Sequence, residues 1–227
     1  MSIEQAVHCA EIIMAFAYLQ QSLEFVRGLQ PEKTLGIIRA VLSVVLLIGF
    51  QPVFVEAGLF IIALILLHRF QGPYNGGSDS MSMLVLLCLF LSHIAPNKFW
   101  QEMALGYLAF QLIFSYFQSG YIKVINPDWR SGQALRDVFA LTAYPVSEHL
   151  RGWAQSPRLL WWMSWSVILF ELVFPLSLLW YSALIITLSI AALFHLANAC
   201  LFGLNRFFWI WPAAYPVIIW LQQRLLH

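Results

Sequence analysis

Long apolar runs, cut at short intervals by proline, glycine and single charges, fill the chain from Ile3 to Leu221. Their length and spacing predict helices rather than strands. The first three lie at about residues 3–26, 34–50 and 53–70, the second closed by Gln51-Pro52. A polar loop from Gln71 to Ser80, with Gly72, Gly76 and Gly77, separates them from a fourth helix at about 81–95. The fifth, at about 99–122, delivers Lys123. Asn126-Pro127-Asp128 then has the form of a helix start, with a capping side chain, proline at the first helical position and an acid in the first turn. It predicts an interfacial helix as far as Tyr144, since Trp129 and the neighbouring charges do not suit lipid. The chain stays polar to Pro157, so residues 124–157 read as an extramembrane cap.

The sixth helix starts at Arg158 with Trp161, Trp162 and Trp165, rings that suit the headgroup boundary. It carries Glu171 in apolar surroundings and Pro175 one turn later, where a kink is expected. Tyr181-Ser182 turns into the seventh, which holds His195 and Asn198 one turn apart, and the eighth, about 207–221, is broken near Pro212 and Pro216. The first helix carries Glu4, His8, Glu11, Gln20, Gln21 and Glu24, so it is either enclosed by other helices or lies partly in the interface.

Composition agrees with the pattern. The chain is 61% hydrophobic and only 10% charged, against about a quarter charged in soluble domains, too little to cover a water-facing surface. The expectation is an all-α integral membrane protein, a bundle of about eight helices (seven if the first is interfacial) with an interfacial helical cap, forming one domain over 1–227. A net charge of +1 without any basic run excludes a nucleic-acid partner. The first residues lack the basic stretch and cleavage site of a secretory signal, so the chain reads as inserted uncut. With eight spans, all of the 12 lysines and arginines except Lys98 and Arg224 fall on the cap side. That bias places the cap in the cytoplasm, in a membrane of bacterial inner-membrane type. Cys9, Cys88 and Cys200 share no disulfide or zinc spacing and read as small core residues. His8, His68, His93 and His149 share no ligand spacing either, so no metal site is expected.

Polar side chains inside apolar helices are the candidates for chemistry. Tyr116, Ser119 and Lys123 fall within about 60° of one another around a helix, so they can meet one partner helix or one ligand. Lys123 is either a snorkelling lysine with its amine at the headgroups or a functional base, because desolvation there penalises the charged form. His195 and Asn198 are either a structural hydrogen-bonded pair or a site. Glu171 reads as a packing partner of Arg39 or Arg158, or as an orienting group. Tyr116 and Gln111 read first as helix-packing donors.

These residues resemble the transmembrane domain shared by vitamin K-dependent gamma-carboxylases and their bacterial relatives, the HTTM domain. The resemblance rests on Gln111, Tyr116, Gly120 and Lys123, in the pattern Gln-x4-Tyr-x3-Gly-x2-Lys, followed by Trp129, Gly132, Ala134 and Leu135. Phe194-His195-Leu196 with Asn198 and Phe202 forms a second stretch, and Glu171 and the Asn75-Gly76-Gly77 loop a weaker third. The resemblance implies a reduced, vitamin K-like quinone as cofactor, with the lysine matching Lys123 as the base that deprotonates it. Oxygen then generates an alkoxide that removes a proton from a substrate glutamate, to which carbon dioxide adds. It further implies that His195 orients or protonates an oxygen, that Asn198, Asn75, Tyr116 and Trp129 bind substrate or cofactor, and that Glu171 and Gln111 stand behind them.

Two departures limit the implied chemistry. The animal enzyme has a histidine after the asparagine matching Asn75, where this chain has Gly76. The sequence also ends at His227 without the large soluble portion of the carboxylases, which points to a small, membrane-borne or partner-presented substrate. Two other readings stand beside the enzyme: a quinone-linked redox subunit resembling DoxX-type proteins, acting with a thiol partner and depending on a cysteine, and a non-catalytic binding or assembly protein whose polar residues only hold helices together.

Overall fold

A computed structural model describes residues 1–26, 28–69, 76–141 and 148–226. In chain order the helices are α1 (Ile3–Val26), α2 (Glu32–Ile48), α3 (Pro52–Arg69), α4 (Gly76–Ile94), α5 (Lys98–Ile125), α6 (Pro127–Ser131), α7 (Gln133–Leu141), α8 (Glu148–Arg151), α9 (Pro157–Val173), α10 (Tyr181–Phe202), α11 (Asn205–Ile210) and α12 (Tyr215–Leu226). Short 3-10 turns cover Gly152–Gln155, Phe174–Leu179 and Trp211–Ala214. No strand occurs among the described residues, and the protein is all-α. Four helical stretches, Pro52–Arg69, Gly77–Ile94, Pro157–Leu179 and Tyr181–Phe202, are long and apolar enough to cross a bilayer. They make the chain an integral membrane protein.

The prolines act where elementary sterics require. Pro175 and Pro212 lie in the two 3-10 turns that interrupt the sixth and eighth apolar runs, since each removes a backbone donor from the α-helical ladder. The fourth helix begins at Gly76, five residues before the expected Met81. Residues 76–80 are therefore its first turn rather than part of a loop, with Asp79 where the helix dipole favours an acid and its carbonyl accepting from Ser82 Oγ at 2.9 Å.

Backbone contacts divide the chain into two compact units, Met1–Ala109 with Arg206–His227, and Phe110–Asn205. In the first unit α1 is the central element. Ala6, Ala10, Met14, Ala17 and Tyr18 are all buried, and the small side chains let α2 and α12 approach closely. Of the polar residues of α1, Glu11, Gln21 and Ser22 are buried in this interior, whereas Glu4, His8 and Glu24 are exposed, so the helix is enclosed along one face only. Buried Arg39 of α2 donates from Nε to Ser22 Oγ at 3.0 Å. Its guanidinium carbon lies 5.2 Å from the Tyr18 ring centre and 4.9 Å from that of Phe25.

In the second unit the cap is a packed element. Asn126 caps α6, its side-chain oxygen accepting from the Asp128 N–H at 2.9 Å, with Pro127 at the first helical position. The expected single helix to Tyr144 is broken at Gly132, whose φ of +81° is left-handed, and residues 142–147 lie outside the described residues. A Cβ on Gly132 would stand 2.9 Å from the backbone nitrogen of Trp161, so the break also permits close contact with the start of α9. Leu135, Phe139, Ala154, Leu160 and Phe202 form a small core of their own, covered by Trp129, Trp153 and Met163. Of the cysteines only Cys88 is a core residue; Cys9 and Cys200 are exposed, because an outward helix face accepts a small thiol as readily as a core does.

Candidate functional site

The second unit gathers the polar face of α5 against two helices. Gly120 makes the approach possible: a Cβ there would lie 2.8 Å from Leu172 N and 2.9 Å from Glu171 Cβ, so α5 meets α9 nearly backbone to backbone. One turn later, Lys123 Nζ stands 2.8 Å and 2.6 Å from the two carboxylate oxygens of Glu171. It also donates to Ser119 Oγ, which in turn donates to Glu171 Oε1 at 3.2 Å. The Glu171 side chain is 4% exposed and that of Lys123 14%, so the ion pair is nearly closed to its surroundings. Lys123 Nζ also lies 5.1 Å from the Trp129 ring centre, within range of a cation–π attraction.

Trp129 is fixed from behind. Its carbonyl accepts from the Ser164 hydroxyl, and the next carbonyl, of Arg130, accepts from Trp165 Nε1 at 3.1 Å. The Trp165 indole of α9 thus anchors the cap.

Two turns back on α5, roughly 10 Å along the axis at 1.5 Å per residue, is a second polar contact. The Tyr116 hydroxyl and His195 Nε2 are 2.8 Å apart, both residues being buried. The Tyr116 ring stacks on Phe174 at 4.1 Å between centres and meets Phe170 edge-on at 5.9 Å. Tyr116 is therefore held by aromatic packing on one side and hydrogen bonding on the other.

Sequence reasoning placed Tyr116, Ser119 and Lys123 on one face, and they share one. It paired Glu171 with Arg39 or Arg158, whereas its partner is Lys123. It set His195 beside Asn198, whereas His195 bonds to Tyr116; Asn198 is half-buried one turn further along α10. Gln111 is half-buried, its carbonyl accepting from Ser115 Oγ at 2.6 Å. Asn75 lies outside the described residues. The aromatic support from Phe170 and Phe174 and the Ser164 tether were missed, and only the small residue Gly120, opposite the acid, hinted at the helix pairing.

The family model of the HTTM domain matches residues 91–222, more than half of the chain. The chain belongs to the HTTM-domain family. No curated protein and no solved structure matches it. The HTTM match contains Gln111, Tyr116, Lys123, Trp129, Glu171, His195 and Asn198, while Asn75 and the first three helices precede it. The two polar contacts described above are thus contacts within the HTTM domain.

Proposed function

We propose that this HTTM-domain protein is a quinol-linked membrane enzyme in which Lys123 and Glu171 act together as the proton acceptor. The observation that carries the proposal is the pair itself, an amine held by both oxygens of a nearly buried carboxylate at 2.8 and 2.6 Å and flanked by an indole face. A reduced quinone, when bound, supplies electrons and an ionisable hydroxyl. Residues of this chain fit such a group: Trp129 offers a flat apolar surface, and Lys123, Tyr116 and His195 offer nitrogen and oxygen atoms able to exchange protons. Within the pair, Glu171 takes the proton of the ammonium, which frees Nζ to accept one. Ser119 keeps the amine aimed while the charge moves. At Tyr116 Oη the hydrogen bond to His195 Nε2 provides a second place where a proton is held. Asn198 completes the proposed binding residues, with Gln111 behind them, and the substrate is small, membrane-borne or presented by a partner protein. We assign the cap side to the cytoplasm.

Quinol consumption with oxygen present, by the purified protein in detergent, tests this reading. Wild type is expected to turn over and a stability-matched Lys123→Ala variant is not. Absence of turnover in both, with the variant merely less stable, would transfer the pair to an assembly role, a second reading favoured by the close α5–α9 contact at Gly120.

A further inference from the structure

Three helices of the first unit each contribute one ionisable side chain to a single buried point. Glu11 of α1, Glu56 of α3 and His93 of α4 each offer a ligand atom, and these atoms lie within 4.8 Å of one another. His93 Nε2 is 2.6 Å from Glu11 Oε1 and 3.7 Å from Glu56 Oε1. Glu56 is completely buried, and neither of its carboxylate oxygens has a hydrogen-bond partner among the described residues. A carboxylate withdrawn from water and left without donors is costly, and a second carboxylate close by adds repulsion unless a proton or a cation lies between them.

We propose that Glu11, Glu56 and His93 bind a divalent first-row transition cation such as Zn2+. Two carboxylates and one imidazole suit such an ion, whereas calcium requires six to eight oxygen ligands. At metal–ligand distances of about 2.0–2.2 Å, tetrahedral ligands stand roughly 3.3–3.6 Å apart. The 3.7 Å separation of His93 and Glu56 is close to that spacing. Glu11 and His93, at 2.6 Å, must part by roughly 0.8 Å on the same geometry, a displacement that a side-chain rotation provides. His8 Nδ1 stands 3.5 Å from Glu11 Oε2 on the exposed side, where an outer partner of a metal ligand would stand. Three protein ligands leave one position open. The ion ties α1, α3 and α4 together and supplies the counter-charge that Glu56 lacks. The histidines alone show no ligand spacing because the remaining donors are carboxylates on two other helices.

The test uses the untagged full chain in detergent, stripped with EDTA, then titrated with ZnCl2 and freed of excess by gel filtration. Wild type should retain one zinc per chain by elemental analysis and melt at a higher temperature with zinc than without. Glu56→Gln and His93→Gln should each lower the affinity at least tenfold and abolish the thermal shift. His68→Ala, which removes an exposed histidine elsewhere on α3, should bind as wild type does. Failure of the wild-type chain to retain zinc would overturn the proposal whether or not either variant folds, as would undiminished zinc binding in both site variants.

Discussion

Replacing Lys123 by methionine keeps most of the length of the side chain and removes its charge, leaving Glu171 in a site where it is 4% exposed. Breaking a buried ion pair from one side costs about 3–5 kcal/mol. Here Ser119 still donates to Glu171 at 3.2 Å, so the lower figure, about 3 kcal/mol, applies. The converse change, Glu171→Gln, leaves an ammonium that is 14% exposed and lies over the Trp129 ring. A cation–π contact and partial hydration offset part of the loss, to about 2 kcal/mol. The double variant has no unpaired charge, and its loss is expected to be about 2 kcal/mol rather than the sum of about 5, a coupling of about 3 kcal/mol. For a chain of this size that coupling corresponds to about 6–12 °C in melting temperature, readable by tryptophan fluorescence on heating in detergent. Additive losses would refute the pairing, since uncoupled residues add within about 0.5 kcal/mol. The double variant has a second use. If it recovers stability but not quinol turnover, the loss of activity belongs to chemistry and not to folding.

Two more predictions concern the supports of the site. Gly132→Ala forces a Cβ into a left-handed turn and against Trp161 N at 2.9 Å; a loss of about 1–3 kcal/mol is expected, with faster proteolysis of the cap, and wild-type protease resistance would contradict it. Tyr116→Phe keeps the stacking on Phe174 but strips buried His195 of the 2.8 Å partner. The expected cost is about 1–3 kcal/mol, and an unchanged melting temperature would show that the hydroxyl does not matter.

The class of the fold and most helix limits were legible because hydropathy and proline act locally: Asn126-Pro127-Asp128 starts a helix in the structure as its residue types require. One face of the site was legible for the same reason, since Tyr116, Ser119 and Lys123 follow helical spacing. Its other face was not. Glu171 lies 48 residues from Lys123 and His195 79 from Tyr116, and nothing in a local pattern chooses among several available partners for each. Glycine misled in two ways. Gly76 and Gly77 suggested a loop where a helix begins, and Gly132, within a strongly amphipathic stretch, gave no sign of its left-handed turn until its neighbour across the cap was known. The cluster of Glu11, Glu56 and His93 was invisible for the plainest reason, that its members come from three helices.

Arg39 bears on how the protein is made. Its charge is buried in the middle of α2, where a lone arginine withdrawn from water is costly. Ser22 and the rings of Tyr18 and Phe25, which meet its side chain, belong to α1, the helix synthesised before α2. When α2 emerges, the α1 surface that accepts its arginine has already been made, so this contact needs no later part of the chain.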